Sequence, residues 1–475
     1  MAGAEKNDNI VITADEISVM NAHKMADVFN HVPGVTAGDS SVGIHGSYKV
    51  KVFVDGRPIN DPTSGHSGIN WELVSPTDVE RIEILRGKGG MRYGQDASGG
   101  VILITTKQVK KSAGNIKTYS GNHETGYGYA GVQVISRNWA MGITSGYETT
   151  GGYKINNYKD RYQTGIKLGY IFDKRKRVMF LADYLEDERG SSGLPDYPTP
   201  DYQKSAQNTN LSLQTNLNNV TSSAFYNKGS NHNTDPGRDL NQRLRVTEWG
   251  EDLSATITSR FGKLNIGGGY QAGLAIGTTF KDQSERTVSV FATQSFKWPS
   301  KPLTFSLGLR ANINSAFDDA INPEIKAIYS KDLWRLTAVF SRTNNTPSFH
   351  QRFNRTSSTL PNPDLEMETS DNYNIALFVD PYASLSFSMS MFYKRLSDRI
   401  TYVTGDNGMG QYQNFGLVTY SGTDLFHGRP MKDSKSKGVI PTWKPKMTTR
   451  DYGCRPRQST RPTWMFTGRR ISFFP

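Results

Sequence analysis

Val79-Glu-Arg-Ile-Glu-Ile-Leu-Arg-Gly87-Lys-Gly-Gly-Met-Arg-Tyr-Gly94-Gln-Asp-Ala-Ser-Gly99-Gly-Val-Ile-Leu-Ile-Thr-Thr-Lys107 reads as a strand, a tight glycine loop and a second strand. Val79 to Leu85 alternates apolar and charged residues, and Val101 to Ile104 is a continuous apolar run, as in a buried strand. The glycines between them let the backbone turn where a Cβ would clash. A phosphate-binding turn would need G-x-G-x-x-G opening a helix, and here position 92 is Arg and a strand follows.

Upstream, Thr13-Ala-Asp-Glu16 spells a capping box that opens a short helix. A second helix is expected around Lys24 to His31, with Met25, Val28 and Phe29 on one face and Pro33-Gly34 ending it. With a strand at Val50 to Val54, residues 10–107 form a small α+β domain. From about residue 112 the texture becomes period-two alternation. Leu303, Phe305, Leu307 and Leu309 alternate with Thr304, Ser306, Gly308 and Arg310, and Leu385 to Tyr393 alternates apolar residues with serines in the same way. Runs of about ten such residues fit a wall that faces lipid outside and a polar lumen inside. A soluble sandwich or propeller with one buried face is the alternative. Trp298, Trp334, Tyr393 and Tyr402 suit interfacial girdles. Polar stretches at Glu186 to Ser205, Ser230 to Glu248 and Thr343 to Thr369 read as spacers between strands, of which roughly 14 to 16 are expected in 112–425.

The motifs of the first hundred residues resemble the plug domain of TonB-dependent outer-membrane receptors. Arg81, Glu83, Leu85, Arg86 and Gly87, then Tyr93-Gly94, then Gly99 to Lys107 follow that family's pattern, with Lys88 where it usually has Pro. His31-Val-Pro-Gly34-Val, Gly43-Ile-His45-Gly46 and Val52-Phe-Val-Asp-Gly56-Arg-Pro-Ile-Asn60 match three further blocks, with His45 in place of an arginine. Downstream, Thr346-Pro-Ser-Phe349 and Asn362-Pro-Asp-Leu-Glu-Met-Glu368-Thr-Ser370 are similar to two barrel motifs.

The resemblance implies a mainly β protein, a small α+β plug at 10–107 inside an antiparallel transmembrane β-barrel at 112–425. It implies a receptor and not an enzyme, taking up a scarce ligand (ferric siderophore, cobalamin or haem) across the bacterial outer membrane. TonB with its ExbB/ExbD partners would supply the energy, outer-membrane lipid would surround a monomer, and no cofactor or nucleic acid is expected. In that family, plug arginines pair with barrel glutamates, so Arg81 or Arg86, on the strand that also carries Glu83, is expected to meet Glu368. Gly34, Gly46, Gly56, Gly87, Gly94, Gly99 and Gly100 are the plug-motif glycines. Tyr48, His66, Tyr93 and His350 are candidate ligand contacts. The other classes kept open are a soluble plug-type binding module and an all-β adhesin or carbohydrate-binding protein.

Composition sets further bounds. No stretch of 18 or more apolar residues is present, so no transmembrane helix is expected, which does not bear on barrel strands. The net charge of +12 is uneven. Residues 1–107 hold 10 basic and 13 acidic residues, whereas 427–475 hold 12 and 2, together with 6 prolines and Cys454, the chain's one cysteine. Alternation stops near Leu425, so the barrel is expected to be incomplete at its C-terminal end and 426–475 to be an out-of-frame segment. Segment 1–9 shows neither a signal peptide nor the family's TonB box. The eight histidines have no metal-ligand spacing, and no metal site is read.

Overall fold

The computed structural model describes residues 9–428 except 23, 65–67, 357, 383–384 and 407. Residues 1–8, His66 and the basic segment from 429 onward therefore lie outside the described residues.

The opening block folds as its pattern dictates. Val79–Arg86 and Gly100–Thr106 pair antiparallel, with Ile82 opposite Ile104 and Ile84 opposite Ile102. Val50–Val54 joins the other edge of Gly100–Thr106 in parallel, and Ile10–Thr13 and Arg57–Pro58 complete a five-stranded sheet. The return between the paired strands depends on Gly100. Its φ of +136° is closed to other residues, and a Cβ there would lie 2.2 Å from the Leu85 carbonyl oxygen. Gly34, Gly46, Gly56, Gly87 and Gly94 also have positive φ, whereas Gly99 is limited by Val50 at 2.8 Å from its would-be Cβ.

Thr13 caps the helix Ala14–Met20 through a full capping box with Glu16. The helix Met25–Asn30 lays Met25, Val28 and Phe29 on the sheet, where Ile44, Val52, Ile82, Ile84, Ile102 and Ile104 complete the core. Side chains of this kind contribute about 1.5–3 kcal/mol each when fully buried. One turn of helix, Gly90–Tyr93, occupies the glycine loop that the sequence reads as irregular.

Among the described residues from Ala113 onward, sixteen strands form a single sheet in which successive members pair antiparallel. Ala113–Gly121 and Leu417–Gly428 stand at the two ends of its order. Connections alternate in length. Those at 137–138, 174–175, 218–219, 260–261 and 332–333 are two residues long, while 151–158, 191–202, 346–367 and 398–416 are the extended ones. Short turns at one end and long loops at the other are the habit of outer-membrane barrels. Side chains are inverted relative to a soluble sheet. On Leu303–Asn314, Leu307, Leu309 and Ile313 are more than half exposed, while Arg310 and Asn312 are buried. Trp298 and Trp334 are exposed beside connections, as a girdle requires.

One of the polar spacers is largely strand, and another is strand at both of its ends. Ser230 to Glu248 falls in Val220–Asp235 and Leu240–Ser259, and Glu186 to Ser205 spans the ends of Lys176–Gly190 and Gln203–Leu217. The strands outrun the ten or so residues that cross a bilayer, so their far ends meet water and take polar residues.

Laid flat, sixteen strands would span roughly 75 Å. The small domain nevertheless touches Tyr129 on the second strand, through Asp78 at 2.8 Å, and Asp424 on the last, through Arg86 at 2.6 Å. The sheet therefore curls around the small domain, which fills its lumen.

Candidate functional site

A cavity of about 280 Å³ lies where the small domain meets the inner wall. Val50–Val54 supplies Lys51 and Phe53, the turn of helix supplies Arg92 and Tyr93, and the following residues supply Gln95 and Asp96. The wall supplies Glu248, Asp252, Gln271, Glu285 and Arg310. Phe317 and Phe349, from the loops at 315–319 and 346–367, also line it, so the cavity lies toward the long-loop end. The Phe53 and Tyr93 rings pack at 5.4 Å, and Arg92 lies 5.1 Å from the Phe291 ring. Burial pushes the Tyr93 phenol up, so it stays a hydrogen-bond donor at neutral pH.

The small domain is held by polar contacts around its circumference. Arg92 donates to Asp252 at 2.6 Å and to Ser254 at 3.1 Å, and Arg57 meets Asp183 at 3.2 Å. Glu72 gathers Lys159 at 3.2 Å, Arg189 at 3.3 Å and Arg161. Burial pulls its carboxyl up, but those three cations prevail and hold it at about 2. Asp424 receives Arg86 at 2.6 Å and His45 Nε2 at 2.9 Å, with the His45 ring stacked on Phe392 at 3.8 Å. Burial pulls the His45 imidazole below its ordinary value and outweighs the opposite pull of Asp424, so the ring is neutral at pH 7 and donates from Nε2.

The expected plug–barrel pairing is corrected here. Arg81 turns to Glu83 at 2.9 Å on its own strand, and Arg86 reaches Asp424. Glu368, 5 % exposed, instead accepts from Asn345 Nδ2 and the Ile400 N–H, both at 2.8 Å. Its carboxylate ties the long-loop segment at 400 to the wall, a task its motif does not announce. Asp424 sits in an alternating strand without a motif, so only the fold identifies it.

Of the candidate ligand contacts, Tyr93 lines the cavity. Tyr48 is half-exposed on the small domain and packs against Gly43. His350 borders a separate cavity beside Thr63, Lys204 and Asn354. His66 lies outside the described residues. Sequence reasoning missed Lys51, Arg92 and Glu248, because no local pattern marks residues that meet only across the lumen.

Residues 6–101 match the family model described as "TonB-dependent Receptor Plug Domain", and 99–468 match "TonB dependent receptor-like, beta-barrel". The second match runs on into the basic segment. A vitamin B12 transporter of Vibrio vulnificus is 30% identical over 171 residues, covering 34% of this chain and 27% of the relative. A ferrioxamine receptor of Yersinia enterocolitica is 27% identical over 212 residues, covering 40% and 29%. This chain thus spans less than a third of those relatives. Among solved structures, the siderophore receptor PirA of Pseudomonas aeruginosa superposes with a TM-score of 0.72 at 17% identity, covering 89% of this chain and 81% of that one. The FrpB iron transporter of Neisseria meningitidis gives 0.74 at 14% identity, covering 90% and 78%.

Proposed function

This chain belongs to the TonB-dependent receptors, a family of outer-membrane β-barrels, and from that premise we propose that it takes up a scarce, bulky ligand from outside the cell. The ligand class is a ferric siderophore, cobalamin or haem. TonB and its ExbB/ExbD partners drive its passage inward, and the receptor acts as a monomer in outer-membrane lipid. The observation that carries this reading is the cavity between plug and wall near the long-loop end, with Tyr93 and Arg92 on its floor. A ligand resting there bears directly on the plug, the part that must move for passage. Tyr93 is assigned to ligand contact, and Tyr48 and His350 to the surrounding surface.

The experiment is uptake of radiolabelled ferric chelates and cobalamin by cells whose own receptors are deleted and which express this chain. Accumulation that requires TonB supports the reading. Accumulation that persists without TonB, or none for any ligand despite surface expression, sinks it.

A further inference from the structure

A second cavity, of about 430 Å³, lies between plug and wall. Lys88 and Met91 line it from the plug, and Thr256, Asn265 and Lys326 from the wall. Thr256 and Asn265 sit close to the two-residue turn at 260–261, so this inner cavity lies toward the short-turn end and the first one toward the long loops. Arg92 and Tyr93 line both.

The Arg92 guanidinium spans the boundary. Its Nη1 donates at 2.6 Å to Asp252, which lines the outer cavity, and its Nη2 at 3.1 Å to Ser254, which lines the inner one. The same group lies 5.7 Å from the Tyr93 ring and 5.1 Å from the Phe291 ring. The backbone beneath it is held separately, because Arg310 donates to the Met91 and Arg92 carbonyls at 3.3 and 3.4 Å. The side chain can therefore swing while the turn keeps its seat. Arg92 and Asp252 are 37 % and 35 % exposed, whereas Arg57 and Asp424, in two other plug-to-wall pairs, are each 3 % exposed. A pair so solvated holds weakly, while a buried pair is costly to break.

We propose that Arg92 is a gate in the lumen. Passage from the outer to the inner cavity runs past its guanidinium along the wall strand Leu240–Ser259, and it opens when that group leaves Asp252 and Ser254 while the rest of the plug stays docked. The proposal rests on the receptor reading above and adds to it a route and the residue that controls it.

The test is ion current through planar lipid bilayers that hold the full chain, with plug docking checked by limited proteolysis. Arg92→Ala is expected to raise the current per inserted chain about fivefold or more over the native chain, with the plug still protease-resistant. Asp252→Asn combined with Ser254→Ala weakens the hold on the guanidinium and keeps the arginine, and it is expected to raise the current in the same direction. Arg57→Ala breaks a plug-to-wall pair away from both cavities and is expected to leave the current at the native level. Equal currents from Arg57→Ala and Arg92→Ala overturn the gate, because the leak then follows any loosening of the plug. A native current as large as that of Arg92→Ala overturns it too. If Arg92→Ala loses its protease resistance, the double variant decides, and an unchanged current there overturns the proposal. The current needs neither ligand nor TonB, so its failure leaves the receptor reading to the uptake experiment.

Discussion

Asp424 shows what single residues contribute to the hold on the plug, and why they were hard to foresee. Its side chain is 3 % exposed and receives both Arg86 and His45. Replacing it removes the carboxylate that both groups share, so Asp424→Asn should cost about 1–3 kcal/mol of plug docking. Limited proteolysis of the plug as urea rises would measure this, and an unchanged midpoint would refute it. His45 adds a pH dependence. Its folded value lies below 6.5, so the unfolded chain binds the proton first. Docking is therefore full above that value and weakens as pH falls through it, by at most about 1.4 kcal/mol per pH unit. Asp424 favours the protonated ring, while Arg86 and Lys394 oppose it. The urea midpoint should fall between about pH 7.5 and 5.5 in the native chain, and a His45→Asn chain should lose that component of the slope. Arginines of the plug could be named from their motifs. Their partners could not, because Asp183, Asp252 and Asp424 lie more than a hundred positions away along the chain. The one partner that carried a motif, Glu368, is used elsewhere.

Elements were more legible than contacts, because they follow from local rules. The capping box at Thr13, the apolar face of Met25–Asn30 and the two strands around the glycine loop all follow from spacing. The loop itself did not, since six glycines permit many paths. Packing selects one of them, the helical turn Gly90–Tyr93. A Cβ on Gly90 would sit 2.2 Å from Thr343 Oγ1, and Thr343 is buried on the wall with little room to retreat. Gly90→Ala is therefore expected to loosen the plug by about 1–3 kcal/mol. Adding Thr343→Ala should restore much of the loss, because the two positions share one space. Additive losses in the double variant would show that the clash is not the cause. The same turn carries Arg92 and Tyr93, so its seat also fixes the floor of the cavity. Strand ends were misread for a related reason. Alternation of apolar and polar residues marks a strand only where one face meets lipid, and beyond that depth a strand such as Leu240–Ser259 continues in polar residues on both faces.

The whole molecule is organised by two different solvents. Inside the wall, polar side chains meet the plug through ion pairs and amides; outside it, Ile143, Leu253, Val290, Leu309 and Ile321 stand exposed in numbers no soluble surface carries. The inversion spreads an apolar fraction of 36% over an outer face and a small plug core rather than gathering it in one interior. It also sets the last prediction. If the exposed residues face hydrocarbon, a charge among them must be costly in lipid. Leu309 sits midway along its strand, opposite Ala292 and Pro323 on the neighbouring strands. Leu309→Arg should destabilise the barrel by about 2–4 kcal/mol in bilayers. Arg310→Leu, one position along and facing the lumen, should leave the outer face intact but release the Met91 carbonyl and Ser289. It is expected to weaken the plug and not the wall. Urea unfolding in lipid vesicles, followed by heat-modifiable mobility for the wall and by proteolysis for the plug, separates the two effects. Equal tolerance of Leu309→Arg in lipid and in water would place that face in water, and the chain would then be a soluble sheet wrapped around a domain.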